Sequence, residues 1–486
     1  MKWRSVLFLT AVFSLALCCT ACQYSPQKDV ITSKNDGTFD ANSAISSNEH
    51  HESDSVMQFD YSNEFLSTDG NVEFQVNIDT CISNADMPIA EVSPHFLTGA
   101  ECKKIAEIFL GDAVFYEKDQ VLSQGEIQQC LQRWIPYTDR DAMRDLLPPT
   151  GESTIDWRIE LLKKSVKAYS EAYESAPVEN PHKLCEWVFR QDSYYSPILA
   201  EESSRNAYEE NQSIQAIAYV NEIPYYFYAS IRDSEDFKLS SLYMYPVEYA
   251  LGDKAMYIAE LCRTEKPNNA QIEKIKTKAD DMLKKMNLGE WQVDECYIET
   301  TERNEHIVHV NAVPKIQNVA VLRMPQLNNL KSKAVFASNY YLTDARFRFT
   351  PNGDLLYFEL QSPVDINQIV NDNVSVYPIS ELLESAKNTL SLSDIYAYDF
   401  NAIVDLCKEQ QIELGCSVEI NGLEYNLVRV KKPNTDASYY FVPGIILSGT
   451  IEYYNKATDE LICCLEQRQL LAMNAVDGSI IPISNE

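Results

Sequence analysis

A chain of 486 residues, 45% of them hydrophobic, is long enough for about two to four ordinary domains and too apolar for wholesale disorder. Its 72 acidic residues outnumber 41 basic ones, for a net charge of −31. That excess excludes broad electrostatic binding to nucleic acid or to an anionic lipid surface and describes a solvated acidic exterior.

The first elements concern address. Lys2 and Arg4 make a short basic start, Val6 to Leu17 is a nearly unbroken apolar run, and Thr20 and Ala21 lead into Cys22. The run is shorter than the roughly 20 residues a spanning helix needs, so it reads as a removable export signal over residues 1–21. Ala21 supplies the small residue that cleavage requires, which assigns lipid attachment to the thiol of Cys22 rather than to Cys18 or Cys19. Residues 23–57, rich in Ser, Asn, Asp, Glu and Lys, bury too little to order themselves, so 22–57 is expected to be a lipidated cysteine and its tether. A flexible coil of that length spans on the order of 30 Å.

Ten cysteines then remain in the mature body, an even number that permits disulfides in an exported chain. None falls in a Cys-x-x-Cys, so zinc-knuckle and redox-pair readings have no support. Cys102 and Cys130 lie on apolar helix faces, and the set reads as mostly buried thiols that pack as small hydrophobes.

The folded body is expected from about residue 58. Val72, Phe74, Val76 and Ile78 alternate with polar residues, the period of a half-buried strand. Thr98 with Glu101, and Ser123 with Glu126, are capping boxes that open two helices, and Ile155, Ile159, Leu162, Val166 and Tyr169 mark a longer one. Residues 213–250 turn strand-like, with Tyr225, Tyr226, Phe227 and Tyr228 in succession. Ile275, Ala279, Met282, Leu283 and Met286 recur at helical spacing, and Trp291 opens a strand. A hairpin follows over 345–360 with Asn352 and Gly353 at its turn, then a helix carrying Ile379, Leu382, Leu383 and Ala386. A second hairpin is read around Asn421 and Gly422, before closing strands near 439–454, 461–475 and 479–482. Helix followed by meander, used at least twice, predicts an α+β fold in three units: 58–250, 251–375 and 376–486.

Chemical signals are sparse. With 14 glycines the chain has neither a dinucleotide fingerprint nor a P-loop, and Gly-x-Ser-x-Gly is missing. His306 and His309 form the one histidine pair of the body, but Ile307, Val308 and Val310 make the segment a strand, where the two rings point to opposite faces. No catalytic, metal or cofactor residue is assigned. The 29 tyrosines are the notable excess, with doublets at 194–195, 340–341, 439–440 and 453–454 placing one ring inward and one outward.

Residues 87–117, from Met87 and Pro88 through Glu91, Pro94, His95 and Phe96 to Gly111, Asp112, Tyr116 and Glu117, resemble a family of uncharacterised lipoproteins from Gram-positive anaerobes, held as a domain of unknown function. The end of the chain, with Tyr425, the Tyr439 strand closed by Pro443, and Asn474 to Gly478, is similar to PepSY-like modules. Such modules also occur in envelope regulators that restrain a membrane sensor kinase and in propeptides of secreted proteases. The resemblance implies an envelope protein partner, a sensor or a protease. The expectation is a non-enzymatic, lipid-anchored extracytoplasmic protein that binds or regulates another envelope component, with no cofactor and no nucleic acid. A glycan- or wall-acting hydrolase using acidic residues, or a glycan- or peptide-binding module, is the alternative.

Overall fold

The structure, a computed structural model, describes residues 39–41, 44–47, 56–83, 86–118, 123–146, 152–179, 183–191, 211–220, 223–233, 238–246, 262, 265–300, 305–323, 343–392, 412–433, 435 and 438–481. Cys22, the export signal, Cys407, His182 and the doublets at 194–195 and 340–341 lie outside them.

In chain order the first elements are β1 (Val56–Leu66), β2 (Val72–Ser83), β3 (Ile89–Pro94), α1 (Gly99–Leu110) and β4 (Phe115–Glu117). Next come α2 (Gln124–Trp134), α3 (Arg140–Leu146), α4 (Glu152–Ala172), β5 (Arg190–Gln191), β6 (Asn211–Val220), β7 (Ile223–Asp233) and β8 (Lys238–Pro246). The middle holds α5 (Asn269–Met286), β9 (Trp291–Thr300), β10 (His306–Ile316), β11 (Val319–Ala320), β12 (Asp344–Phe349), β13 (Leu355–Gln361) and β14 (Val364–Asn371). The chain closes with α6 (Ile379–Leu392), β15 (Leu414–Lys431), β16 (Tyr439–Asn455), β17 (Glu460–Asn474) and β18 (Ile480–Ile481).

The fold is mostly β, in two large sheets that are antiparallel save for β2 against β15. One is ten-stranded, with central order β6-β7-β8-β13-β12-β10 and β9 beyond β10. It joins two meanders, β6 to β8 after α1 and β9 to β13 after α5, through their last strands. α1 and α5 cover one face side by side, burying Phe109, Ile275, Met282 and Leu283 against Phe227, Met244, Val310, Phe347 and Phe358. Both helices begin as their sequences dictate. Thr98 with Glu101 and Asn268 with Gln271 each complete a capping box.

The other sheet has order β1-β2-β15-β16-β17-β18, with β14 and β3 added along the first residues of β16. α6 lies on one face, with Leu382, Leu383 and Ala386 among Phe74, Val418, Ile445, Leu447 and Tyr453. A separate small helical core gathers Trp134, Met143, Ile155, Ile159 and Leu162. The sheets meet where Val321 bridges Leu427 and where Ile316 and Val319 pack with Val92, Tyr439 and Phe441.

Four expectations give way here. The unit boundaries at 250 and 375 are crossed by the pairing, because β1 to β3 belong to the sheet of β14 to β18, and β13 pairs with β8. Part of the expected tether is docked. Phe39 is 1% exposed beside Tyr440, its N–H donates to the Lys431 carbonyl, and Ser46 bridges Val374. One large ring suffices to hold a polar segment whose backbone finds partners. Asn421 and Gly422 make no turn, since β15 runs unbroken through them with a register shift between Ile420 and Gly422. Gly422 is there for space, because a Cβ would sit 2.0 Å from Ser448 Oγ. Finally, both rings of the 439–440 doublet are buried, one in each of two cores on opposite faces of β16.

Candidate functional site

The face of the ten-stranded sheet opposite α1 and α5 is polar and aromatic. Strand alternation puts Phe347 and Phe349 under the helices and therefore Arg346 and Arg348 on the other side. Cross-strand register then aligns Gln215, Tyr228, Tyr243, Glu359, Arg346, Asn311 and Glu295 in one row across seven strands. A second row holds Tyr226 opposite Tyr245, with Tyr357 at 6.2 Å from Tyr245, and continues through Arg348, His309 and Tyr297.

These side chains are tied to one another. Tyr357 donates to Glu359 at 2.7 Å, Arg348 lies 4.9 Å over the Tyr357 ring, and Gln361 donates to Tyr243 at 3.2 Å. Asp344, 0% exposed, accepts from Arg346 at 2.7 Å and from Arg323 at 3.2 Å. Burial pushes the Asp344 carboxyl above its ordinary range, and the two guanidinium groups oppose that rise. Asn311 donates to Glu295 at 2.8 Å. His309 contacts Glu299 at 2.6 Å and stacks on Tyr297 at 4.7 Å. Burial and the nearby Arg348 hold its pKa below the usual histidine value, so the ring is neutral at physiological pH.

The centre of this face is closed: Tyr357, Glu359, His309 and Asn311 are all buried, and Cys262 packs on Ile307 and Leu356. The β9 end is open. Tyr297 is 45% exposed, with the Glu295, Glu299 and Arg323 side chains around it. A β-bulge opposite Asn311 and Ala312 leaves Asp294 without a ladder partner beside Glu295, and Glu424 of β15 reaches the same place. Desolvation raises both Asp294 and Glu424 above the usual carboxylate range; Arg323 opposes the rise at Asp294, and neighbouring acids add to it at both.

The tyrosines do not form a flat platform. Tyr226 meets Tyr245 at 79° and Tyr228 meets Tyr243 at 40°, rings packed on each other rather than laid coplanar for a sugar. His306 and His309 lie on β10 with separate partners, His306 3.0 Å from Thr300 Oγ1. His95 stands between Asp365 and Glu101. Among the described residues no group of three or more potential ligands is placed to hold a metal ion. Burial pushes the Cys262 and Cys416 thiols up to about 12, which keeps them protonated and unreactive.

The apolar pattern of the 345–360 hairpin does not by itself single out the arginines and acids of the rows. The signal was present, since residues that alternate with a buried set must share the other face.

No protein-family model matches the chain, and no curated protein does. Two solved structures are weakly similar. One is an uncharacterized protein from Eubacterium rectale, 10% identical, covering 87% of this chain and 94% of its own, with a TM-score of 0.34. The other is the C-terminal domain of YpeB from Bacillus megaterium, 10% identical over 53% of this chain and 84% of that one, with a TM-score of 0.24. Among the described residues no helix is long and apolar enough to cross a membrane.

Proposed function

We propose that this chain is an extracytoplasmic lipoprotein, anchored through Cys22, whose helix-plus-meander units are PepSY-like and which binds another protein of the cell envelope. The observation that carries the reading is the open β9 end of the polar face, where an exposed tyrosine held by His309 stands among Glu295, Glu299 and Arg323. Tyrosine and arginine are what protein interfaces concentrate: a tyrosine on a strand gives large contact area with few torsions to freeze, and a guanidinium adds forked hydrogen bonds. A photo-crosslinking residue placed at Tyr297 tests it in intact cells. One membrane or secreted protein is expected to be captured when Cys22 is present and lost when it is replaced by Ala. Capture of nothing, or equal capture from the Cys22→Ala form, overturns the reading.

A second reading is favoured by one specific feature, the raised pair Asp294 and Glu424. A carboxyl raised by the protein around it and standing beside another acid resembles the general-acid arrangement of glycoside hydrolysis. Release of soluble fragments from wall glycan, abolished by Glu424→Gln, would establish that reading in place of the first.

A further inference from the structure

β1 is the outer strand of the eight-stranded sheet, and no described strand pairs with its far side. It is eleven residues long, and its register with β2 is unbroken from Val56 to Leu66. Natural edges are usually guarded by bulges, lysines or proline. β14, another outer strand of the same sheet, has two register shifts; β1 has none, and neither β1 nor β2 contains Lys, Arg or Pro. Every other residue of such a strand directs its N–H and C=O outward, ready for one more strand.

The two faces beside this edge differ in chemistry. On the α6 side Phe59, Tyr61 and Phe65 are half-buried, Tyr61 donates to Glu384 of α6 at 3.0 Å, and Met57 of the same face lies 48% exposed near the start of the strand. An edge strand next to a helix is a groove that takes an extended peptide, with alternate side chains entering it. On the opposite face Asp60 stands directly across from Asp79, and Glu64 and Glu73 lie on the same side. Like charges placed opposite each other in a ladder are unfavourable until a cation joins them.

We propose that β1 is a docking edge for an extended segment of another protein whose residues alternate apolar and basic. The added strand continues the ladder, sets its apolar side chains beside Phe59, Tyr61 and Phe65, and brings Lys or Arg to Asp60, Asp79 and Glu64. A second copy of this chain does not fit, because β1 against β1 would bring Asp60 and Glu64 of one copy to those of the other. This surface is independent of the β9 end of the other sheet.

The test uses the full chain and three fluorescent peptides: alternating valine and lysine, the same composition in block order, and alternating valine and glutamate. The alternating basic peptide is expected to bind at least roughly tenfold more tightly than either control and to slow amide exchange along β1, not along β14. Replacing Asp60→Lys together with Glu64→Lys, both exposed, is expected to reverse the preference toward the glutamate peptide. Equal binding of the block-order peptide, protection elsewhere than β1, an unchanged preference in the double variant, or dimerisation through β1 each overturns the proposal. The peptide comparison needs no variant to fold.

Discussion

In the eight-stranded sheet the central strand β16 is buried on both faces from Tyr439 to Leu447, whereas the ten-stranded sheet covers one face with helices and gives the other to charged and aromatic side chains. The sequences record the difference. β16 opens Tyr-Tyr-Phe-Val-Pro-Gly-Ile-Ile-Leu, a continuous apolar run, while β12 reads Asp-Ala-Arg-Phe-Arg-Phe, strictly alternating after its first residues. One sheet is held by packing from both sides, and the other adds an ionic network whose members depend on one another.

The largest effect is expected in that network. Asp344→Ala removes the acceptor shared by Arg346 and Arg323 at a fully buried position. Losing two charge-assisted hydrogen bonds to the partly exposed Arg346 and Arg323 costs about 3–5 kcal/mol, to be read as a lower urea midpoint. A loss under about 1 kcal/mol would mean that the arginines turn to solvent, and the contrast between the sheets would then rest on packing alone.

In the other sheet the matching intervention is Phe39→Ala, which empties the site beside Tyr440 that holds the N-terminal arm. The expected cost is about 3 kcal/mol, at the low end for a buried ring because the arm lies at the sheet surface. The effect should be local, with protease cutting near residues 39–47 while the ten-stranded sheet stays intact. Simultaneous loss of both sheets would show that the arm supports the whole molecule.

What was legible in the chain was local. Thr98 with Glu101, Ser123 with Glu126, the α5 stripe and the hairpin at Asn352 and Gly353 all state their structure within a few residues. Pairings between distant segments were not legible: β2 beside β15 joins residues more than 300 positions apart, and period-two alternation does not name a partner. The candidate site shares that limit. The tyrosine excess was visible, but its rows exist because β8 meets β13, which sets Tyr243 opposite Glu359.

The smallest predicted effect separates two uses of glycine that look alike in sequence. Asn-Gly occurs at 352–353 and at 421–422, yet Gly353 has φ of +88° in a tight turn, while Gly422 sits in an extended strand against Ser448. Gly353→Ala is expected to cost about 1–2 kcal/mol from backbone strain alone, because its Cβ would meet Ile275 at an ordinary 3.5 Å. Gly422→Ala instead collides with the Ser448 hydroxyl, at a cost of about 1 kcal/mol. Adding Ser448→Ala removes the colliding atom, leaving the Ser448 Cβ 3.3 Å and carbonyl 3.4 Å away, so the double variant should recover most of the loss. No neighbouring substitution should rescue Gly353→Ala, since its cost lies in its own φ. Urea midpoints for the three variants decide it, and a Gly422→Ala loss that persists in the double variant would assign the cost to the bulge itself rather than to the close approach.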